Sequence, residues 1–273
     1  MPDASAIKPA RSLAGKIFLG STLLVIAVLG ATFGVTSIQA NRTADAAVDR
    51  ALQTTRQAVA DLLAARTRAF AGMSAVSAEV PQFRERLLNS RDRANVLDQA
   101  QEYRDLIGAA MVMVTDRDGI LLARTDHPEE NGIDQSRGAL IGHALSGEPT
   151  KGAFVDDRDT AAIRLYIAVA TPLAARGAAP QGVLVAAYAL DSALAADLKD
   201  ATGSDVVFFA VRQDGVPVVV GSSLPRQDVG PALASGVRPE ALGDTAPARM
   251  TAQLHGQHLI GLEIGRASCR ERV

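Results

Sequence analysis

The chain has 273 residues, enough for one large domain or two small ones. Of these, 48% are hydrophobic and only 4% aromatic, with no Trp, so a core must be built mainly from Ala, Val and Leu. A formal net charge of −2 supplies no basic field for nucleic acid. The single cysteine, Cys269, stands near the C-terminus, which excludes a disulfide framework, a cysteine-based zinc site and a cysteine nucleophile from the body of the chain.

The first predicted element is residues 17–38, "IFLGSTLLVIAVLGATFGVTSI", a run without a charge. As a helix rising about 1.5 Å per residue it spans about 33 Å, enough to cross a hydrocarbon core of about 30 Å. Lys8, Arg11 and Lys16 precede it, opposed only by Asp3. The excess of positive charge places the N-terminus, 1–16, in the cytoplasm and everything after Ile38 outside. The run is longer than the apolar region of a cleaved signal peptide, and Ile38 spoils a small-x-small site at Ala40. The expectation is an uncleaved transmembrane helix.

From Asn41 the pattern becomes that of an amphipathic helix. Val48, Leu52, Thr55, Val59 and Leu62 recur at alternating spacings of four and three, a coiled-coil-like seam on a stalk helix over 39–80. That seam has two uses: pairing with a second copy as a homodimer, or packing within one monomer. Pro81 suits the first turn of a short helix near "PQFRERLLN". Ser90 is a candidate cap for the next, "RDRANVLDQAQEYRDLI", which Gly108 ends.

The period then changes to that of strands. Two apolar runs, 110–114 and 120–123, flank Asp118-Gly119 and predict a hairpin. A polar loop, "DHPEENGIDQS", and a short helix, "GALIGHALSG", follow. Next come three more strands: "KGAFVDD", "AIRLYIAVATPLA" and "QGVLVAAYAL". Together these predict a five-stranded antiparallel sheet flanked by helices, an α+β domain. A helix from Asp191 to the Gly203 stop leads to "GSDVVFFAVRQDGVPVVVGSS", which repeats the hairpin form around Asp214-Gly215 about 96 residues after the first, followed again by a small helix and strand material. The second copy lacks the closing strands of the first and breaks off near Glu263. The last ten residues, "IGRASCRERV", read codon by codon as a sequencing-library adapter (ATC GGA AGA GCG TCG TGT AGG GAA AGA GTG). Residues 264–273 are therefore expected to be a scar on a C-terminally truncated protein.

No catalytic motif is present: there is no G-x-S-x-G, H-E-x-x-H or G-x-x-x-x-G-K-[ST]. Asp116-x-Asp118 lacks the later ligands of a calcium loop, and His255-x-x-His258 lacks a third ligand, so neither a metal nor a cofactor is expected. The candidate ligand-binding residues are Arg124 and His127, where the hairpin enters its loop, and Arg164 and Tyr166, two apart on one strand face. Two cations and a phenol around a small apolar cleft fit a small anionic ligand such as a carboxylate, which an Arg holds by a bidentate pair. Other uses of these residues remain open: Arg164 facing solvent or pairing with Asp156, Asp157 or Asp159, and His127 as a surface-loop residue.

The stretches "VMVTDRDGILLARTDHPEENGID", "HALSGE" and "LYIAVATPLAARGAAPQGVLVAAYAL" resemble the double Cache sensors of bacterial transmembrane receptors in their order of hairpin, polar loop ending in Gly, helix, strand ending in Pro and final strand. The resemblance runs from about residue 41 to 263. It implies tandem PAS-like modules, a membrane-distal one over 81–190 and an incomplete membrane-proximal one over 191–263, with the small-molecule pocket in the first. It also implies a second transmembrane helix and a histidine kinase, nucleotide cyclase or methyl-accepting output absent from this sequence. The amino-acid-binding members carry a Tyr/Arg/Trp-containing signature, and this chain has no Trp. The expected function is thus the periplasmic, small-molecule-sensing and itself non-catalytic front end of a receptor in a bacterial inner membrane. The rivals are a membrane-anchored extracytoplasmic enzyme and a structural adaptor whose active part lies elsewhere.

Overall fold

The computed structural model describes residues 13–88, 92–156, 163–211, 216–236, 249–254 and 257–262. The chain falls into two units, Met1–Gln53 and Thr54–Val273. Helix α1 (Leu13–Glu79) is followed by α2 (Pro81–Leu87), α3 (Arg93–Ile107), β1 (Met111–Asp116), β2 (Leu121–Arg124), α4 (Ala139–Leu145), β3 (Thr150–Asp156), β4 (Arg164–Pro172), β5 (Gly182–Ala189) and α5 (Ser192–Thr202). Then come β6 (Val207–Val211), β7 (Pro217–Ser222), α6 (Arg226–Gly236), β8 (Arg249–Leu254) and β9 (Gln257–Leu262).

In the first unit, the described large side chains of α1, namely Leu23, Leu24, Ile26, Val28 and Leu29, are all exposed. Among the described residues no helix is long and apolar enough to cross a membrane. The expected crossing at 17–38 falls largely on positions whose side chains lie outside that set.

In the second unit, β1–β5 form an antiparallel sheet in the order β2-β1-β5-β4-β3. Alternation along the strands divides its side chains between two layers. On one face Val112, Val114, Leu165, Val169, Leu184, Ala186 and Tyr188 pack with Val59 and Phe70 of α1, Ala100 and Tyr103 of α3, and Leu194 and Leu198 of α5. On the other face Met111, Met113, Tyr166, Ala168, Ala170, Val183, Val185 and Ala187 pack with Leu140, Ile141 and Ala144 of α4. Both faces are covered, so strands such as β5, with seven of its eight residues buried, read as continuous apolar runs. The small residues of β5 let the layers approach closely. Gly182 has no room for a side chain: a Cβ there would lie 2.3 Å from the Thr115 carbonyl oxygen.

The β1–β2 turn is closed by Gly119 N–H donating to the Asp116 carbonyl at 3.1 Å, with Gly119 at φ +80°. The Asp116 carboxylate accepts from the Asp118 and Ile120 N–H groups, both at 2.9 Å, so this acidic pair organises the turn itself. Helix α3 is capped by Asp92, which accepts from Asn95 N–H at 3.2 Å. The cap expected at Ser90, the Asp214-Gly215 turn, Glu263 and the tail 264–273 lie outside the described residues. Beyond α5 the described strands form two hairpins, β6–β7 and β8–β9.

The expected stalk seam is corrected in its middle. Val59 belongs to the core of its own chain, and Thr55 Oγ1 lies 3.3 Å from Ser204 Oγ. The reason is that α1 covers a sheet face rich in small side chains, whose burial requires the same helix stripe. Leu62 of that seam is exposed, and the side chains of Val48 and Leu52 are outside the described set. A single Cys at Val59, in a Cys269→Ser background, should react with a thiol reagent far more slowly than one at the exposed Leu106 of α3. Equal labelling rates at the two positions would show that α1 does not pack on this sheet.

Candidate functional site

The face of the sheet that carries α4 also carries the polar cluster. Arg124 ends β2, and its direction depends on a bulge. Val114 pairs with Ala123 and Thr115 with Leu121, so Leu122 is an extra residue. Strict alternation would set Leu121 and Arg124 on opposite faces. The extra residue instead brings both to the α4 side, opposite Thr115 and Met113 respectively.

Arg124 is fully buried there. Its Nε and Nη2 donate to Asp126 Oδ1 and Oδ2 at 2.8 and 2.9 Å, a bidentate pair. Nη2 also donates to Asp156 Oδ2, and Nη1 lies 3.7 Å from Glu130 Oε2. The guanidinium sits over the Phe154 ring, 5.4 Å from its centroid. Since β2 and β3 are the two outer strands of the sheet, the Arg124–Asp156 pair joins opposite edges across one face. Burial alone would lower the pKa of Arg124, but Asp126, Asp156 and Glu130 outweigh it and hold the pKa above the ordinary arginine value.

The loop after β2 is anchored at both ends. Val112 N–H donates to Thr125 Oγ1 at 2.9 Å, and Leu121 and Gly132 N–H groups bond to the Ile133 and Leu121 carbonyls at 2.8 Å. Arg93 of α3 reaches the carbonyls of Pro128 and Glu130. This presents His127 part-exposed at the cluster, with Nε2 3.4 Å from Asp156 Oδ2 and 3.9 Å from Asp126 Oδ2, and Nδ1 3.4 Å from Glu129 Oε1.

On β4, Arg164 is opposite Asp156 and Tyr166 opposite Phe154. Tyr166 is buried, with its hydroxyl 3.5 Å from Asp126 Oδ2. Arg164 is exposed at the strand's start, and its pKa is raised first by hydrogen bonding to Tyr166 and then by the charges of Tyr166, Asp126 and Asp156. The structure therefore brings Arg124, His127, Arg164 and Tyr166 onto one face. It gives them unequal parts: Arg124 is engaged by carboxylates of its own chain, whereas Arg164 presents an exposed guanidinium. The carboxylates belong to no sequence motif that marks them as site members. Asp156 was legible as a residue two after the buried Phe154 and so on its face; the bulge that aims Arg124 at it was not legible.

The sequence matches the family described as the double sensory domain of two-component sensor kinase over residues 45–219. The chain belongs to that family. No curated protein sequence matches it. Among solved structures, the sensor domain of the Vibrio cholerae histidine kinase DctB is 17% identical, with a TM-score of 0.47, 63% of this chain and 66% of that chain being covered. The periplasmic domain of V. cholerae LuxQ is 14% identical, with a TM-score of 0.48 and coverages of 78% and 99%. The ligand-binding domain of the Campylobacter jejuni chemoreceptor Tlp3, in complex with L-norvaline, is 15% identical, with a TM-score of 0.43 and coverages of 77% and 81%. This double sensory domain thus spans just under two thirds of the DctB sensor chain.

The three tyrosines of the domain share one property. Burial is the leading cause that raises the pKa of Tyr103, Tyr166 and Tyr188, and for Tyr166 the neighbouring Asp126 charge adds to it. Unfolded tyrosines lose their protons near pH ~10, before the folded ones do. The unfolded state therefore binds fewer protons above that pH, and stability is complete below about pH 10 and lost as pH rises through the folded values. Phenolate absorbance should appear late and together with loss of structure. A gradual titration at the ordinary tyrosine value with the fold intact would contradict the packing of these rings.

Proposed function

We propose that the chain is the extracytoplasmic, small-molecule-sensing part of a receptor held in a bacterial inner membrane by its N-terminal apolar helix. Its cytoplasmic output domain would be encoded outside this sequence. Membership in a sensory-domain family and the exposed apolar side chains of α1 between Leu23 and Leu29 support this reading. The modules would lie at 81–190, distal to the membrane, and from 191 onward, proximal to it. Two copies would pair in parallel along α1 through its exposed Leu62, Met73 and Val76, not through Val59, with ligand binding shifting a two-state arrangement of the helices.

The observation that carries the ligand reading is the exposed Arg164 beside the buried Tyr166 on the α4 face. Because Arg124 is neutralised by its own carboxylates, an incoming carboxylate has Arg164 as its partner, with Tyr166 as the neighbouring wall. Asp126 and Asp156 repel it from the interior, so the charged group of the ligand stays at the mouth, next to Arg164. A charge-assisted bond of this kind is worth about 1.5–3 kcal/mol. Arg164→Ala should therefore weaken a small carboxylate found by thermal-shift screening of the full chain by roughly 10- to 150-fold. Truncation removes the exposed guanidinium's hydrogen bond to Tyr166, but that hydroxyl keeps Asp126 as a partner, so the unliganded melting temperature should fall only slightly. Equal affinity in wild type and Arg164→Ala would remove Arg164 from the site.

A further inference from the structure

We propose that Asp126, His127 and Asp156 form a binding site for one divalent transition-metal ion of the zinc type. One ligand atom from each lies within 4.8 Å of the other two. The two distances from His127 Nε2 are 3.4 Å to Asp156 and 3.9 Å to Asp126. Zinc bonds of about 2.0–2.2 Å to nitrogen and oxygen put tetrahedral ligand atoms about 3.3–3.5 Å apart, so the imidazole and Asp156 already stand at that spacing and Asp126 needs a small inward movement. One imidazole with two carboxylates is a borderline-hard donor set, suited to zinc and its neighbours.

Two independent features point to an ion. The first is the far side of the imidazole: Nδ1 faces Glu129 Oε1 at 3.4 Å. Metal-bound histidine typically has a carboxylate facing its other ring nitrogen, and here Nε2 is the atom turned toward the two aspartates. The second is Arg124. Its Nη1 is buried without a hydrogen-bond partner, while Nη2 of the same guanidinium holds both aspartate Oδ2 atoms in place. A buried donor of this kind is costly unless something supplies an acceptor. A water completing the shell of an ion at the aspartates would supply an oxygen beside that guanidinium. Charge agrees: among the described residues Asp126, Asp156 and Glu130 face two guanidiniums, Arg124 and Arg164, so carboxylates outnumber them. His127 is 29% exposed, which leaves the imidazole side open for entry of the ion and for the fourth ligand.

The site shares this face with the proposed carboxylate contact but does not depend on it, because the metal alone is the probe. The full chain in detergent, stripped with a chelator, is titrated with Co2+ and followed by visible absorbance, then with Zn2+ and followed by calorimetry and melting temperature. One Co2+ per chain should bind with d–d bands and no thiolate band from Cys269, Zn2+ should displace it, and Zn2+ should raise the melting temperature. Loss of an outer partner costs about 10–100-fold in affinity. Glu129→Gln should fall in that range and His127→Gln should lose at least as much, while His143→Gln, on the exposed side of α4, should bind as wild type. His127 and Glu129 are loop side chains outside both cores, so these variants should fold, as their metal-free melting temperatures will show. No saturable binding, a thiolate band, or wild-type affinity in both His127→Gln and Glu129→Gln would overturn the site.

Discussion

A guanidinium without water must find its counter-charges inside the protein, and the arrangement around Arg124 follows from that demand. Asp126 takes it from the adjoining loop, Asp156 from the far edge of the sheet, and Glu130 from the loop's next turn. Asp126 and Glu130 follow Arg124 within one loop, whereas Asp156 comes from a segment that no local rule would join to it. Removing one partner of such a buried pair typically costs about 3–5 kcal/mol, because the charge left behind has no solvent to return to. The pairs therefore act less as a source of net stability than as a condition on geometry: only a sheet whose outer strands approach each other on the α4 face, with the loop folded over it, satisfies them.

That condition divides the labour among the polar residues. Arg124 is occupied in holding the loop and the edge strands, and Tyr166 adds a hydroxyl to the same carboxylate. What remains presented outward is Arg164 at the start of β4 and His127 on the loop. Both outward groups stand beside carboxylates, Asp156 and Asp126, that Arg124 ties to both edges of the sheet. On the opposite face Tyr188 of β5 bonds Thr67 Oγ1 at 3.0 Å and the Leu63 carbonyl at 3.2 Å and lies beneath Arg66, so the strand next to β4 is keyed directly to α1.

Much of this architecture was legible in the sequence because it rests on short-range rules. Asp118-Gly119 announced the β1–β2 turn, Pro81 the start of α2, Gly108 and Gly203 the ends of α3 and α5, and the three apolar runs after α4 the remainder of the sheet. The stalk seam was read with alternating steps of four and three, but beyond Val59 the packed stripe goes on through Leu63 and Thr67 and leaves Leu62 exposed. Val59 packs on its own sheet because that face, built largely of Val and Ala, needs a helix over it. The site was half legible. Arg164 and Tyr166 share a face by simple alternation. The facing of Arg124 required a bulge that skips Leu122, and its pairing with Asp156 required knowing that β2 and β3 lie at opposite edges, a long-range fact that neither spacing nor composition encodes.

The central claim is that Arg124 is an internal counter-ion that organises the face, and not a receptor for an external anion. Amide hydrogen exchange of the full chain, wild type against Arg124→Met, tests it most directly. The account predicts that protection falls at residues 125–135 and at the end of β3 around Asp156, while β1 and β5 keep theirs. Unchanged exchange in both of those segments, with the only difference appearing when a small carboxylate is added, would contradict it.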